Sequence, residues 1–216
     1  MNQYHKIDSI YKRDMSKPNA PFIVGEWANP LFGYLAGNTW EWTEKVDGTN
    51  IRIMIDGDSI TFGGKSDNAQ IPSHLVTKLQ ELFLPIQARL KIKQTFGEEI
   101  KRVCLYGEGF GFKIQGKVGV DYLTDKVDFY LFDVNIGGMW LERKDVTGIG
   151  TKLGLTLPKV VSYGSLDDAI SLVKKGFPSA FGNAQAEGLV LRPMVEIQDK
   201  QGHRVITKIK VRDFTN

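Results

Sequence analysis

In the run TWEWTEKVDGTNIRIMIDG, residues 39–57, Lys45 heads a polar Lys-Val-Asp-Gly turn between two strand-like segments. A lysine amine attacks only when unprotonated, and with an ordinary pKa near 10.4 about one in 2,500 is free base at pH 7. Desolvation or neighbouring cations favour the neutral amine. Lys208 and Lys210 in TKIKVRD supply cations: two residues apart in a strand, their ammonium groups point to one face. Two like charges side by side suit an anion of several charges, such as a triphosphate, lying between them. Glu108 in LYGEGFG and Glu187 in AEGLVLRP each stand at a strand end beside glycine, where backbone can come close to a ligand. A carboxylate there can accept ribose hydroxyls or hold a hard cation. The run DFYLF, 128–132, offers Phe129 or Phe132 to stack on a base.

Taken singly, each feature has a plainer reading. GEGFG reads as a tight turn, and it lacks the strand-to-helix setting and third glycine of a dinucleotide fingerprint. Alternating KIK is an ordinary solvated strand face, and DFYLF an ordinary core strand. His5, His74 and His203 are scattered without metal-ligand spacing, and the lone Cys104 in RVCLY reads as a small buried group. The meaning lies in the set and its order.

The elements that must hold these residues follow from periodicity. NIRIMI alternates, with Ile51, Ile53 and Ile55 toward a core and Asn50, Arg52 and Met54 on the face that continues from Lys45. Asp56-Gly57 turns the chain into a partner strand, SITFGG. Residues 73–96 repeat apolar side chains at Leu75, Leu79, Leu82, Ile86 and Leu90, with Ser73 as N-cap, Gly97 as stop and Pro85 kinking or splitting the helix. Further helices fit 143–153 and 166–175, the second capped by Ser165 with Asp168 three residues on. Strands fit KRVCLYGEGFG, KVDFYLFDVN, MWLER, EGLVLRP and VITKIKV, with Gly137-Gly138 joining the second to the third. Neighbouring hairpins and separate helices predict an α+β fold with mostly antiparallel sheets flanked by helices.

The 216 residues are 42% hydrophobic and 25% charged, enough for a substantial core and unlike a disordered chain. No Pro/Ser/Gly linker divides them, so a single domain over 1–216 is expected. A net charge of +3 permits a polyanion partner without requiring one. No segment approaches the ~18 apolar residues of a membrane span, and the N-terminus has no apolar targeting core. These features predict a cytoplasmic protein with no membrane partner; a monomer is entertained, but oligomeric state leaves no trace in the sequence.

The succession Lys45-Val46-Asp47-Gly48-Thr49-Asn50, Tyr106-Gly107-Glu108-Gly109, Asp128-Phe129-Tyr130-Leu131-Phe132-Asp133, Glu187-Gly188-Leu189-Val190 and Lys208-Ile209-Lys210 resembles the covalent nucleotidyltransferases. These are the ATP-dependent RNA and DNA ligases and the mRNA capping enzymes. The resemblance runs from about residue 40 to 210. DNA ligases and capping enzymes carry arginine two residues after the motif glycine; Asn50 there is similar to the RNA ligase 2 branch. A DNA ligase or capping-type guanylyltransferase is the alternative inside the superfamily, and a non-catalytic nucleotide- or RNA-end-binding protein the alternative outside it.

The resemblance implies the ligase adenylation fold and an enzyme that joins RNA 3′-OH and 5′-phosphate ends through AMP carried on Lys45. ATP is then the cofactor, with Mg²⁺ or Mn²⁺. Lys208 and Lys210 would contact phosphate and lower the pKa of the attacking amine. Glu108 would hold the ribose hydroxyls, Phe129 would stack on adenine, and Asn50 would bind near the ribose or α-phosphate. Glu44 and Val46 would line the nucleotide through backbone atoms. Glu187 would place the metal, and Asp47 would assist strand joining. Where the family usually has arginine, about twenty residues after the nucleophile, this chain has Lys65, with Arg52 as the alternative supplier of that contact. Asp47 stands where some ligases of this branch have histidine. The chain ends six residues after Lys210, which predicts a catalytic domain without the C-terminal nucleic-acid-binding domain of such ligases.

Overall fold

The chain opens with β1 (Asp8–Ser9), β2 (Tyr11–Arg13), β3 (Phe22–Trp27), α1 (Pro30–Tyr34) and β4 (Trp40–Lys45). Asn29 starts α1 by accepting the Leu31 N–H on its side chain, with Pro30 at a position where a missing N–H costs nothing. Next come β5 (Thr49–Asp56), β6 (Ser59–Gly63), α2 (Ser73–Phe83), α3 (Ile86–Phe96), β7 (Val103–Gly111), α4 (Lys117–Tyr122), β8 (Val127–Ile136), β9 (Met139–Trp140) and α5 (Arg143–Leu153). The chain continues through β10 (Val160–Gly164), α6 (Leu166–Lys175), β11 (Gly188–Pro193), β12 (Thr207–Lys210) and a 3-10 turn at Val211–Asp213. The computed structural model describes residues 3–214. Among them no helix is long and apolar enough to cross a membrane.

Two compact units share this chain. A flanking unit comprises His5–Val46 and Lys159–Asn216; a central unit comprises Asp47–Pro158 and Met1–Tyr4. The Lys-Val-Asp-Gly motif is divided between them, with Lys45 and Val46 in the first and Asp47 and Gly48 in the second.

The flanking unit is built on a five-stranded sheet in the order β1-β12-β11-β4-β10, antiparallel except for the β1–β12 pair. One face buries Trp40, Trp42, Leu189, Leu191 and Ile209 against Leu166, Ala169, Ile170 and Val173 of α6. Burying such a side chain contributes about 1.5–3 kcal/mol, so this alternation fixes which residues are left on the other face. Ser165 caps α6 in a reciprocal box with Asp168, as the spacing predicts.

The central unit holds the other five-stranded sheet, β6-β5-β7-β8-β9, antiparallel throughout. Ile51, Ile53 and Ile55 are fully buried against α2 and α5 residues including Leu75, Leu79 and Val146, as the alternation predicts. Two expectations are corrected. Pro72, not Ser73, is the N-cap of α2, and no side chain caps it. Pro85 splits the helical run, and the break resets its phase. Ile86 and Leu90, expected inward, are exposed, and Ile92 is the residue of α3 that buries.

Candidate active site

On the face of the flanking sheet opposite its core, strand register arranges the cations. Lys45 at the end of β4 lies opposite Gly188 of β11, and Gly188 lies opposite Lys210 of β12. The two lysines therefore flank a residue with no side chain. Gly188 is obligatory for packing: a Cβ there would fall 1.9 Å from the Ile209 carbonyl oxygen and 2.7 Å from the Lys210 Cα. In the next row Val190 lies between Thr43 and Lys208, and Ser9 follows Lys208 on β1.

Both flanking amines converge on Glu187. Lys210 Nζ lies 2.6 Å from Oε1, and Lys45 Nζ is ion-paired to Oε2, with the carboxylate only 7% exposed. Burial by itself would raise the Glu187 carboxyl, but Lys45 and Lys210 outweigh it and hold the group below the ordinary carboxylate range. The Lys208 ammonium is pushed down by burial first, and then by Lys45, Lys210 and Lys6. Three lysines against one carboxylate leave these two rows cationic, a face suited to a polyanion. Glu44 belongs elsewhere: its carboxylate accepts from Ser179 Oγ and from the Ala180 N–H (2.8 Å), and its own N–H donates to the Lys159 carbonyl. Val46 is buried, and its carbonyl accepts from Lys45 Nζ at 3.4 Å.

In the central unit, Asn50 of β5, Glu108 of β7 and Tyr130 of β8 form one row across the non-core face of the sheet. Asn50 Oδ1 is buried there with no hydrogen-bond partner among the described residues. The Asp47 N–H donates to the Tyr122 hydroxyl (3.1 Å), and the Gly48 carbonyl accepts from Gln115 Nε2 (3.0 Å), so the turn after the lysine is held on both sides. Gly48 is not needed for a left-handed turn. It is needed because a Cβ would sit 2.4 Å from the Gly109 carbonyl oxygen and 2.6 Å from Glu108 Cγ.

Several expectations are corrected here. Phe129 is fully buried in the core, edge-on to Phe83 with ring centroids 5.7 Å apart, so it offers no face to a base. A Cβ at Gly107 would touch its ring at 2.3 Å and one at Gly109 would touch Leu75, so these glycines admit core side chains rather than a ligand. The aromatic residue in the row of Glu108 is Tyr130. Arg52 is 1% exposed and spends its guanidinium internally, Nε to the Gly64 carbonyl (2.8 Å) and Nη2 to Asp67 (2.7 Å). It anchors the loop that carries Lys65, which is exposed. Thr43, Val190, Lys6 and Tyr130 were missed as site neighbours. Strand alternation from Lys45 and Gly188 carries the signal for Thr43 and Val190; Tyr130 needs the register of β7 with β8, and Lys6 leaves no signal.

A family model for RNA ligase matches residues 38–210. The chain belongs to the RNA ligase family. Its fold is that of the solved Naegleria gruberi RNA ligase, with mixed α+β architecture and antiparallel sheets as predicted. An apo mutant of that ligase superposes with a TM-score of 0.64 at 18% identity, covering 86% of this chain and 53% of that one. A mutant bound to ATP and Mn gives 0.66 at 16% identity, covering 97% and 56%. The same ligase with pyrophosphate gives 0.63 at 19%, covering 84% and 52%. The chain thus spans about half the length of these structures. No curated protein matches it by sequence search.

Proposed function

We propose that this RNA ligase-family chain is the adenylyltransferase core of an ATP-dependent RNA ligase, and that Lys45 is its AMP acceptor. The observation that carries the reading is the convergence of Lys45 and Lys210 on Glu187, with Lys208 in the next row. One family match across both units supports treating them as one adenylation domain.

The neutral Lys45 amine attacks the α-phosphorus of ATP. A P–N bond forms, the bond from that phosphorus to the β-phosphate bridge oxygen breaks, and pyrophosphate leaves while the amine proton passes to solvent. Lys208 and Lys210 neutralise charge on the departing phosphates, electrostatic help that is in place before the reaction starts. Asn50 Oδ1, buried without a partner, accepts a hydroxyl, and Glu108 in the same row accepts the other ribose hydroxyl.

The carboxylate assigned to a hard cation of the Mg²⁺ or Mn²⁺ type is Glu187, and with both oxygens ion-paired to lysines it would take one only with substrate phosphates as further ligands. Glu187 is the carboxylate among the three lysines, and no cluster of three His, Cys, Asp or Glu occurs among the described residues. Mg²⁺ is commonly held by one or two carboxylates together with substrate phosphates. Glu187 would hold it, and bound there it would withdraw charge from the phosphate oxygens. In the later steps an RNA 5′-phosphate oxygen displaces Lys45 from AMP. The 3′-hydroxyl of a second end then attacks that phosphate and releases AMP, with Asp47 and Lys65 assigned to the RNA.

The test is intact-protein mass after incubation with ATP and Mg²⁺, beside Lys45→Ala. An AMP-sized gain in the wild type alone, mapped to Lys45, is expected. Nucleotide-free protein that binds ATP but gains no mass would overturn the reading.

A further inference from the structure

Lys210 is the last residue of β12, and strand ends fray unless their backbone is held elsewhere. Two contacts hold it. The Val211 N–H donates to the Glu187 carbonyl (2.9 Å), and Asp213 Oδ2 accepts the Lys210 N–H (3.1 Å). The Asp213 side chain is 6% exposed, and its other oxygen takes Nη2 of Arg13 at 2.7 Å. Arg13 lies on β2, in a two-stranded hairpin separate from the five-stranded sheet. The same nitrogen reaches Ser9 Oγ at 3.4 Å, Nη1 donates to the Ala20 carbonyl at 3.1 Å, and the guanidinium stacks 4.5 Å from the Phe22 ring centroid. Phe22 packs edge-on against Phe214, 5.5 Å away. Ser9 is the register partner of Lys208. One guanidinium therefore reaches both lysine positions: Lys208 through Ser9, and Lys210 through Asp213.

We infer that Arg13 and Asp213 are positioning residues for phosphate binding, holding Lys208 and Lys210 in register with Glu187. The inference rests on the adenylyltransferase reading for its substrate. A lysine side chain is long and loses much rotamer freedom when fixed, so its direction depends on a backbone that does not move. Arg13 supplies that constraint from outside the sheet, with a planar fork that lysine lacks.

The experiment measures inorganic pyrophosphate affinity by calorimetry and the single-turnover rate of lysyl-AMP formation. It uses the wild type, Arg13→Gln, Arg13→Lys, Asp213→Asn and the Arg13→Gln/Asp213→Asn double variant, each corrected for folded fraction by urea titration. Each glutamine or asparagine variant is expected to weaken pyrophosphate binding about tenfold and to slow adenylylation by a similar factor. The double variant should be no worse than the weaker single, because one line of contacts is cut twice. Arg13→Lys should recover part of the loss. The inference is overturned by wild-type affinities in the single variants, by losses that multiply in the double variant, or by losses that vanish on correction for folded fraction. Wild type that binds pyrophosphate but takes no AMP refutes the adenylyltransferase reading alone, and the affinities still decide the positioning role. Wild type that binds neither overturns both.

Discussion

The two five-stranded sheets of this chain solve different problems with the same alternation. The flanking sheet turns Trp40, Trp42, Leu189, Leu191 and Ile209 inward and leaves a row of charge outside, with Lys45, Lys208 and Lys210 around Glu187. The central sheet also has an apolar core, but its other face mixes charges with amide and aromatic groups: Asn50, Glu108 and Tyr130 in one row, Arg52, Tyr106 and Asp133 in another, and a cluster in which Tyr4 meets Tyr106, Phe132 and Trp140. On the adenylyltransferase reading, the phosphate work falls to the first face, where like charges are tolerated because a buried carboxylate sits among them, and the ribose hydroxyls fall to the second.

Substitutions that cut one sheet and spare the other test that division. Gly188→Ala should have the largest effect. The Cβ collides with backbone of β12, so the flanking sheet should lose on the order of 3–5 kcal/mol, read as a shifted midpoint in chemical denaturation. Glu187→Gln should come next, slowing lysyl-AMP formation at least ~100-fold, by analogy with the loss of one preorganised electrostatic group. It also carries a pH signature. The folded Glu187 carboxyl lies below its unfolded value, so its stabilisation is present above the unfolded pKa of about 4.3 and fades as pH falls through the folded pKa. The stability gap between wild type and Glu187→Gln should therefore close on acidification below about pH 4.

Lys208→Met should move stability and function in opposite directions. Removing a buried like charge should stabilise the fold at pH 7 by about 1 kcal/mol while weakening pyrophosphate binding. For Lys208 the folded pKa is depressed, so between it and the unfolded value near 10.4 the wild type gains stability as pH rises. The advantage of Lys208→Met should shrink accordingly. The smallest effect is expected for Phe129→Leu, about 1 kcal/mol of stability with an unchanged KM for ATP in initial-rate assays. A raised KM at constant kcat would return Phe129 to the nucleotide pocket and blur the distinction between the sheets.

The shared face of Lys208 and Lys210 was legible because it follows from spacing alone, whereas Lys45 joins them only through the register of β4, β11 and β12. Lys208 and Lys210 had to share a face, and Ile51, Ile53 and Ile55 had to oppose Asn50 and Arg52. The helices at 143–153 and 166–175 were equally plain, since their apolar stripes and the Ser165 cap are local. Phe129 was misread because a strand such as DFYLF is apolar on both faces, and only its register with β7 tells Phe129 from Tyr130. Arg52 was misread for a similar reason: its face was right, but nothing local reveals that Gly64 and Asp67 fold over it. Pairings between distant segments, such as Ser9 with Lys208 and Arg13 with Asp213, leave no periodic trace.

The place of β12 between β1 and β11 has a consequence for the life of the protein before it is complete. A ribosome must add 165 residues after Lys45 before Lys210 exists, which at about 5–20 residues per second takes roughly 8–33 s. Until then β1 and β11 lack their shared neighbour, and Glu187 lacks one of its two lysine partners. The flanking sheet therefore closes late and over long sequence separations, a topology that folds slowly. On the adenylyltransferase reading, a chain released early would carry Lys45 without the cations proposed to receive pyrophosphate. Prematurely terminated products should then be unable to load AMP, so the order of synthesis itself would keep unfinished copies chemically silent.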